Sequence, residues 1–137
     1  MNNQQLAVTI KEPDVLDELS RDEDSDVRWF VAVNPNTKPE TLEYLSRDVD
    51  YGVRGRVAYN PNTKTETLDV LSRDEDPYVR CYVASSPNTK PETLDFLSDD
   101  KSPDVRCGVA ENPNCSERAY KYIKGLEILE SLSEVTT

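Results

Sequence analysis

A nine-residue phrase recurs at a fixed interval. NPNTKPETL occupies residues 34–42, NPNTKTETL 60–68 and SPNTKPETL 86–94, a period of 26 residues. Periods of this length mark linear arrays, in which each unit is too small to bury an apolar face alone and does so against its neighbours. With Val27, Val53, Val79 and Val105 in register, Arg28, Arg54, Arg80 and Arg106 coincide. So do the valines at 31, 57, 83 and 109, the alanines at 32, 58, 84 and 110, and the aspartates at 22, 48, 74 and 100. The ends are partial copies: residues 1–26 hold the second half of a unit, 27–52, 53–78 and 79–104 are complete, and 105–125 begin a last one. This predicts a single solenoid over 1–125, followed by a cap helix and tail over 126–137.

Each unit carries two helix signals. The first segment opens at Asp24, Asp50, Asp76 or Ser102, good N-cap residues, and proline follows at positions 77 and 103, where its missing N–H costs nothing. The second opens at Thr37, Thr63 or Thr89, with Glu40, Glu66 or Glu92 three residues on, the spacing of a capping box. The recurring phrase thus reads as a helix stop, a turn and a helix start. On a wheel of about 100° per residue, the constant positions (Val27, Arg28, Val31, Ala32) share one arc, and the varying ones (Trp29, Phe30, Val33) share the opposite arc. The constant arc is expected to face neighbouring units, as are Leu42 and Leu45 and their copies. In the last unit Tyr120 and Ile123 stand at the two leucine positions. The fold expected is an all-α solenoid of two-helix repeats, capped at both ends.

The pattern L-x-x-L-S-R-D-x-D-x-x-V-R-x-x-V-A-x-N-P-N, repeated over residues 13–123, resembles the leucine-rich repeat variant family, a relative in style of HEAT-like repeats. The resemblance implies a right-handed superhelix of paired short helices, one of each pair α or 3₁₀. Some relatives carry an iron–sulfur cysteine cluster beside the repeats. No such cysteine cluster occurs in this chain, and that function is not carried over. HEAT-like arrays commonly run an Asp–Arg ladder along the stack, and the spacing permits Asp22 with Arg28, Asp48 with Arg54, Asp74 with Arg80, and Asp100 with Arg106. An arginine beside the apolar arc needs such a partner, because a buried charge left unpaired costs about 3–5 kcal/mol.

Charge restricts the partners. The net charge is −11, from 16 Lys and Arg against 27 Asp and Glu, and eight of the acids fall in residues 1–26. Nucleic acids and anionic membranes are bound through lysine and arginine, so neither is expected as a partner. No apolar run approaches the length of a bilayer span, and the N-terminus has neither the basic start nor the apolar core of a secretory signal, so a soluble, cytoplasmic protein is the expectation. Histidine is absent, which removes the usual general base and His-ligated metals. Four glycines form no phosphate loop, and no enzymatic activity, cofactor or metal is expected.

The remaining chemistry is weighed against simpler roles. Asp22, Asp24 and Asp26 alternate as in a calcium loop, but Val27 and Val33 stand where that loop needs glycine and glutamate, so helix caps explain them better. Cys81 and Cys107 hold equivalent positions in adjacent units, too far apart for an unstrained disulfide when helices pack about 8–10 Å apart. Cys115 stands in the threonine N-cap position, where a thiol pKa can fall. A metal- or redox-linked accessory protein using the acidic turns or Cys115 is therefore the alternative function.

The favoured function is a protein–protein interaction scaffold, monomeric, with an unidentified protein partner. Trp29, Phe30, Arg56, Tyr59 and Tyr82 lie on or near the varying arc, and aromatic residues and arginine are enriched in interface hot spots. Tyr44, Val70, Phe96 and Tyr122 are expected to flank the core instead. Leu126, Leu129 and Leu132 are expected to close it through the cap helix.

Overall fold

The computed structural model describes residue 2 and residues 9–136. Among them nine α-helices follow one another: α1 Pro13–Leu19, α2 Ser25–Val33, α3 Pro39–Leu45, α4 Tyr51–Tyr59, α5 Thr65–Leu71, α6 Pro77–Ser85, α7 Pro91–Leu97, α8 Pro103–Glu111 and α9 Glu117–Val135. Both helices of each pair are α, which settles the choice between α and 3₁₀. Long helices α2, α4, α6 and α8 stack on one another in succession, and each short helix packs against the long helices on either side of it in the chain. The arrangement is a solenoid of helix pairs. The opening of the N-terminal partial unit expected at 1–26 lies mostly outside the described residues. No helix of the described residues is long and apolar enough to cross a membrane.

The constant arc faces inward, as its register requires. Val27, Val31, Val53, Val57, Val79, Val83, Val105 and Val109 are at most 2% exposed, and the paired leucines of α3, α5 and α7 are equally buried, while in α1 Leu16 is buried and Leu19 partly so. Each short helix brings two leucines under the valine and alanine row of the long helices, so the core runs unbroken along the array. A fully buried leucine or valine contributes about 1.5–3 kcal/mol over its exposed state.

The helix starts divide into two kinds. Asp24, Asp50 and Asp76 cap the long helices as expected, accepting from the N–H groups of Asp26, Gly52 and Tyr78 at 2.9, 2.7 and 2.8 Å. Ser102 is also an N-cap, without a side-chain bond. The short helices begin differently. Their N-caps are Lys38, Lys64 and Lys90, none with a side-chain cap, so the capping boxes at Thr37, Thr63 and Thr89 do not form. Those threonines turn inward, where each donates to a carbonyl near the end of the preceding long helix: Val31, Val57 and Val83, at 2.6, 2.5 and 2.6 Å. Each of these carbonyls also accepts from the N–H of its helix's C-cap residue, Asn34, Asn60 or Ser86, so the inward hydroxyl is itself satisfied on the carbonyl's second lone pair rather than spent on a cap.

The asparagines of the NPN turn join one unit to the next. Asn60 Nδ2 donates to the Ala32 and Asn34 carbonyls at 2.7 and 3.0 Å, and Asn112 does the same to Ala84 and Ser86 at 2.7 and 2.8 Å. A second asparagine in the turn repeats the stitch further out: Asn62 to Pro35, Asn88 to Pro61 and Asn114 to Pro87. At position 86 serine replaces the inner asparagine, and its short hydroxyl instead accepts weakly from Asn88 N–H at 3.4 Å.

The Asp–Arg ladder exists, shifted by one unit. The Arg28 side chain pairs with the carboxylate of Asp48, not Asp22, with Nε–Oδ2 at 2.7 Å and Nη2–Oδ1 at 3.1 Å. Arg54 takes Asp74 and Arg80 takes Asp100 in the same way. The aspartate six residues before an arginine supplies its backbone carbonyl, as Asp22 does to Arg28 Nη1 at 2.9 Å. Its carboxylate is turned to the N–H of Asp24, two residues on.

The C-terminal segment departs from expectation. There is no separate cap helix, because α9 runs unbroken through Gly125. Its first half closes the array with Ala119 and Ile123, while Tyr120 is half exposed beneath Lys124 and does not act as a second leucine. Its distal half carries Glu130, which pairs with Arg106 at 2.7 Å and stands in for the missing next aspartate. Ile128, Leu129 and Leu132 remain more than half exposed, so they do not close the core.

Candidate protein-interaction surface

The varying positions of α2, α4 and α6 come together on one face. Arg56, on α4, lies between rings from the units before and after it, its guanidinium carbon 4.9 Å from the Trp29 ring centre and 5.0 Å from that of Tyr82. Trp29 meets Phe30 edge-on at 5.1 Å, and Tyr82 meets Tyr59 edge-on at 5.7 Å. All five residues expected to form the surface are thus linked through ring and guanidinium contacts. Edge-on rings and a cation over a ring face are the favoured geometries of aromatic electrostatics, worth about 0.5–1.5 kcal/mol each beyond burial.

Two tyrosines enlarge the cluster. Tyr78 packs on Tyr82 at 4.8 Å and donates its hydroxyl to that of Tyr82 at 3.2 Å, and Tyr51 meets Tyr78 edge-on at 5.5 Å. The hydrogen bond and burial together push the Tyr82 phenol above its ordinary pKa, against the opposite pull of Arg56. Tyr78 was legible in principle, since it falls one turn before Tyr82 on the same side of the helix. Tyr51 lies at the very start of α4 and reaches the cluster only because the next unit stacks beside it. Gly55 makes the close approach possible: a Cβ there would lie 3.0 Å from the Tyr78 ring and 3.3 Å from that of Tyr82. Tyr51 and Tyr59 are both about half exposed, while Trp29, Phe30 and Tyr82 are partly buried against the core, so the cluster is anchored on the core and faces solvent at its outer edge.

The short-helix side is different in character. Tyr44, Val70, Phe96 and Tyr122 are exposed there by 44 to 65%, and do not flank the core as expected. Arginines from the preceding units cover two of these rings, Arg21 over Tyr44 at 4.5 Å and Arg73 over Phe96 at 4.4 Å. Open grooves of about 480 and 390 Å³ run between α3 and α5 and between α7 and α9, lined by charges of both signs such as Glu43, Arg47 and Lys64 in the first.

The three thiols are free. Cys115 is not the cap: Ser116 takes that role, accepting from Ala119 N–H at 3.0 Å. Burial, with the nearby Asp95 charge, pushes the Cys115 thiol up, and burial raises Cys81 and Cys107 as well. Among the described residues, no group of three or more Cys, Asp or Glu side chains is placed to hold a metal ion.

Comparison with family models, curated proteins and solved structures returns no match.

Proposed function

We propose that the chain is a non-enzymatic protein-interaction scaffold of the leucine-rich repeat variant, HEAT-like kind, and that its protein partner docks on the long-helix face. It acts as a cytoplasmic monomer, without nucleic acid, membrane, metal or cofactor. The observation that carries the reading is the array Trp29–Arg56–Tyr82, drawn from three successive units and extended by Phe30, Tyr51, Tyr59 and Tyr78. Rigid aromatic side chains offer large contact area at low entropic cost, and their mutual packing holds them in place before a partner arrives. Repeat arrays present such surfaces along their length.

The test is capture from host lysate by the chain and by a triple variant, Phe30→Ser, Arg56→Glu and Tyr82→Ser, with folding of the variant verified by circular dichroism. A protein retained by the first and lost by the second is the expected result. Retention of the same proteins by both would make this face ordinary surface.

A further inference from the structure

The five arginines of the long helices fall into two classes. Arg28, Arg54, Arg80 and Arg106 each hold a carboxylate at 2.7 Å. For Arg56 no carboxylate of the described residues lies within ion-pair distance, although the chain holds 27 acids to 16 bases, and its buried Nε has no hydrogen-bond acceptor. The side chain is instead ordered by rings on two sides. A guanidinium so placed keeps its terminal Nη edge as a preformed fork of donors, and a carboxylate is the planar group that fits it with two oxygens.

We infer that this face recognises an extended protein segment through one Asp or Glu side chain, received by Arg56, with apolar or aromatic residues on either side lying against the rings. The inference rests on the scaffold reading and supplies its partner chemistry. Three stacked helices at about 8–10 Å each span roughly 16–20 Å. An extended chain covers that distance in about five or six residues. The carboxylate sits in the middle of that span, because Arg56 is on the central helix, and the rings of Trp29 and Phe30 on one side and Tyr59, Tyr78 and Tyr82 on the other receive its neighbours. A chain of net charge −11 repels acidic partners at long range, so the segment carries this one carboxylate among neutral or basic residues.

A library of random 12-residue peptides displayed on phage, panned on the chain, tests this. Binders are then synthesised both with blocked ends and with a free C-terminal carboxylate, and titrated by the fluorescence of Trp29, the only tryptophan present. The expected result is a set sharing one Asp or Glu between apolar residues, with affinity falling about tenfold or more both on Arg56→Gln and on Asp→Asn or Glu→Gln in the peptide. Arg56→Lys, which keeps the charge but not the fork, falls between. Peptides that perturb Trp29 and fail on a Phe30→Ser and Tyr82→Ser variant, yet lack an acid or bind Arg56→Gln undiminished, would overturn the carboxylate and leave the scaffold. Binding only by peptides with a free C-terminal carboxylate would likewise overturn the side-chain assignment. If no binder responds to changes on this face, both readings fall together.

Discussion

The Arg54 guanidinium donates to the Asp74 carboxylate, twenty residues on, at 2.7 and 3.0 Å, while its third bond, at 2.8 Å, goes to the carbonyl of Asp48 just before its own helix. One side chain thus ties the start of its own long helix to the start of the next. Because each unit repeats the arrangement, stability in this protein is coupled along the array. Asp74→Ala strips a nearly buried guanidinium of its mate and is expected to cost about 3–5 kcal/mol. The exposed pair between Lys64 and Glu40, at 3.6 Å, provides the contrast: Glu40→Ala leaves the urea midpoint where it was. Urea unfolding of the two variants side by side checks both.

The inner asparagine row has a gap at Ser86. Asn60 and Asn112 each donate to two buried carbonyls of the preceding unit, and Ser86 lacks the amide to do so. Ser86→Asn is expected to raise stability by about 1 kcal/mol, and Asn60→Ala to lower it by about 1–3 kcal/mol. Thermal unfolding of both variants, monitored by circular dichroism, reads the sign and size.

Thr63 and Glu66 separate the two roles open to the recurring phrase. The Thr63 hydroxyl donates to the buried Val57 carbonyl, which also accepts from the Asn60 N–H, so Thr63→Val is expected to destabilise by about 0.5–1.5 kcal/mol although it keeps the volume. Glu66→Ala is expected to change little, because no box exists for it to complete. Equal losses in the two variants would restore the capping box.

Acid weakens the Arg80–Asp100 pair. Burial works to raise Asp100, but the hydrogen bond from Arg80 and the Ser102 N–H outweigh it and hold the carboxyl below its usual 3.8. A carboxyl lowered in the folded state contributes stability that is complete above the unfolded value, near pH 4, and is lost as the pH falls through the lower folded value. Melting temperatures taken from pH 7 to pH 2 are therefore expected to hold down to about pH 4 and then drop. Asp100→Asn is expected to be less stable at pH 7 and flatter across the acid range.

Thiol labelling of the native chain near pH 7 is expected to be slower at Cys115 than for free cysteine, since burial raises rather than lowers its pKa. Cys107, the exposed thiol, should label first. A Cys115 that labelled ahead of free cysteine would revive a redox role.

The period, the helix pairs, the aspartate caps and the inward arc of valine and alanine were legible because each is set by residues within one unit. What passes between units was not. In a strict repeat every arginine has an aspartate six residues before it and another twenty after it, so spacing alone cannot choose between Asp48 and Asp74 for Arg54. The choice falls to the stack, in which an aspartate's carboxylate is committed to its own turn and to the arginine of the preceding long helix. The asparagine stitches were hidden for the same reason, since NPN reads locally as a turn. Of the surface, Trp29, Phe30, Arg56, Tyr59 and Tyr82 could be found from the varying arc, whereas Tyr51 joins them only across the boundary between units.

Hydrogen–deuterium exchange of the chain, alone and with the partner retained in the capture experiment, tests the interaction face most directly. Docking on the aromatic–arginine array predicts added protection in α2, α4 and α6, centred on the peptides around Arg56, with α3, α5 and α7 unchanged. Protection confined to the short helices or to the distal half of α9 would contradict it, and would move the contact surface to the other side of the solenoid or to its end.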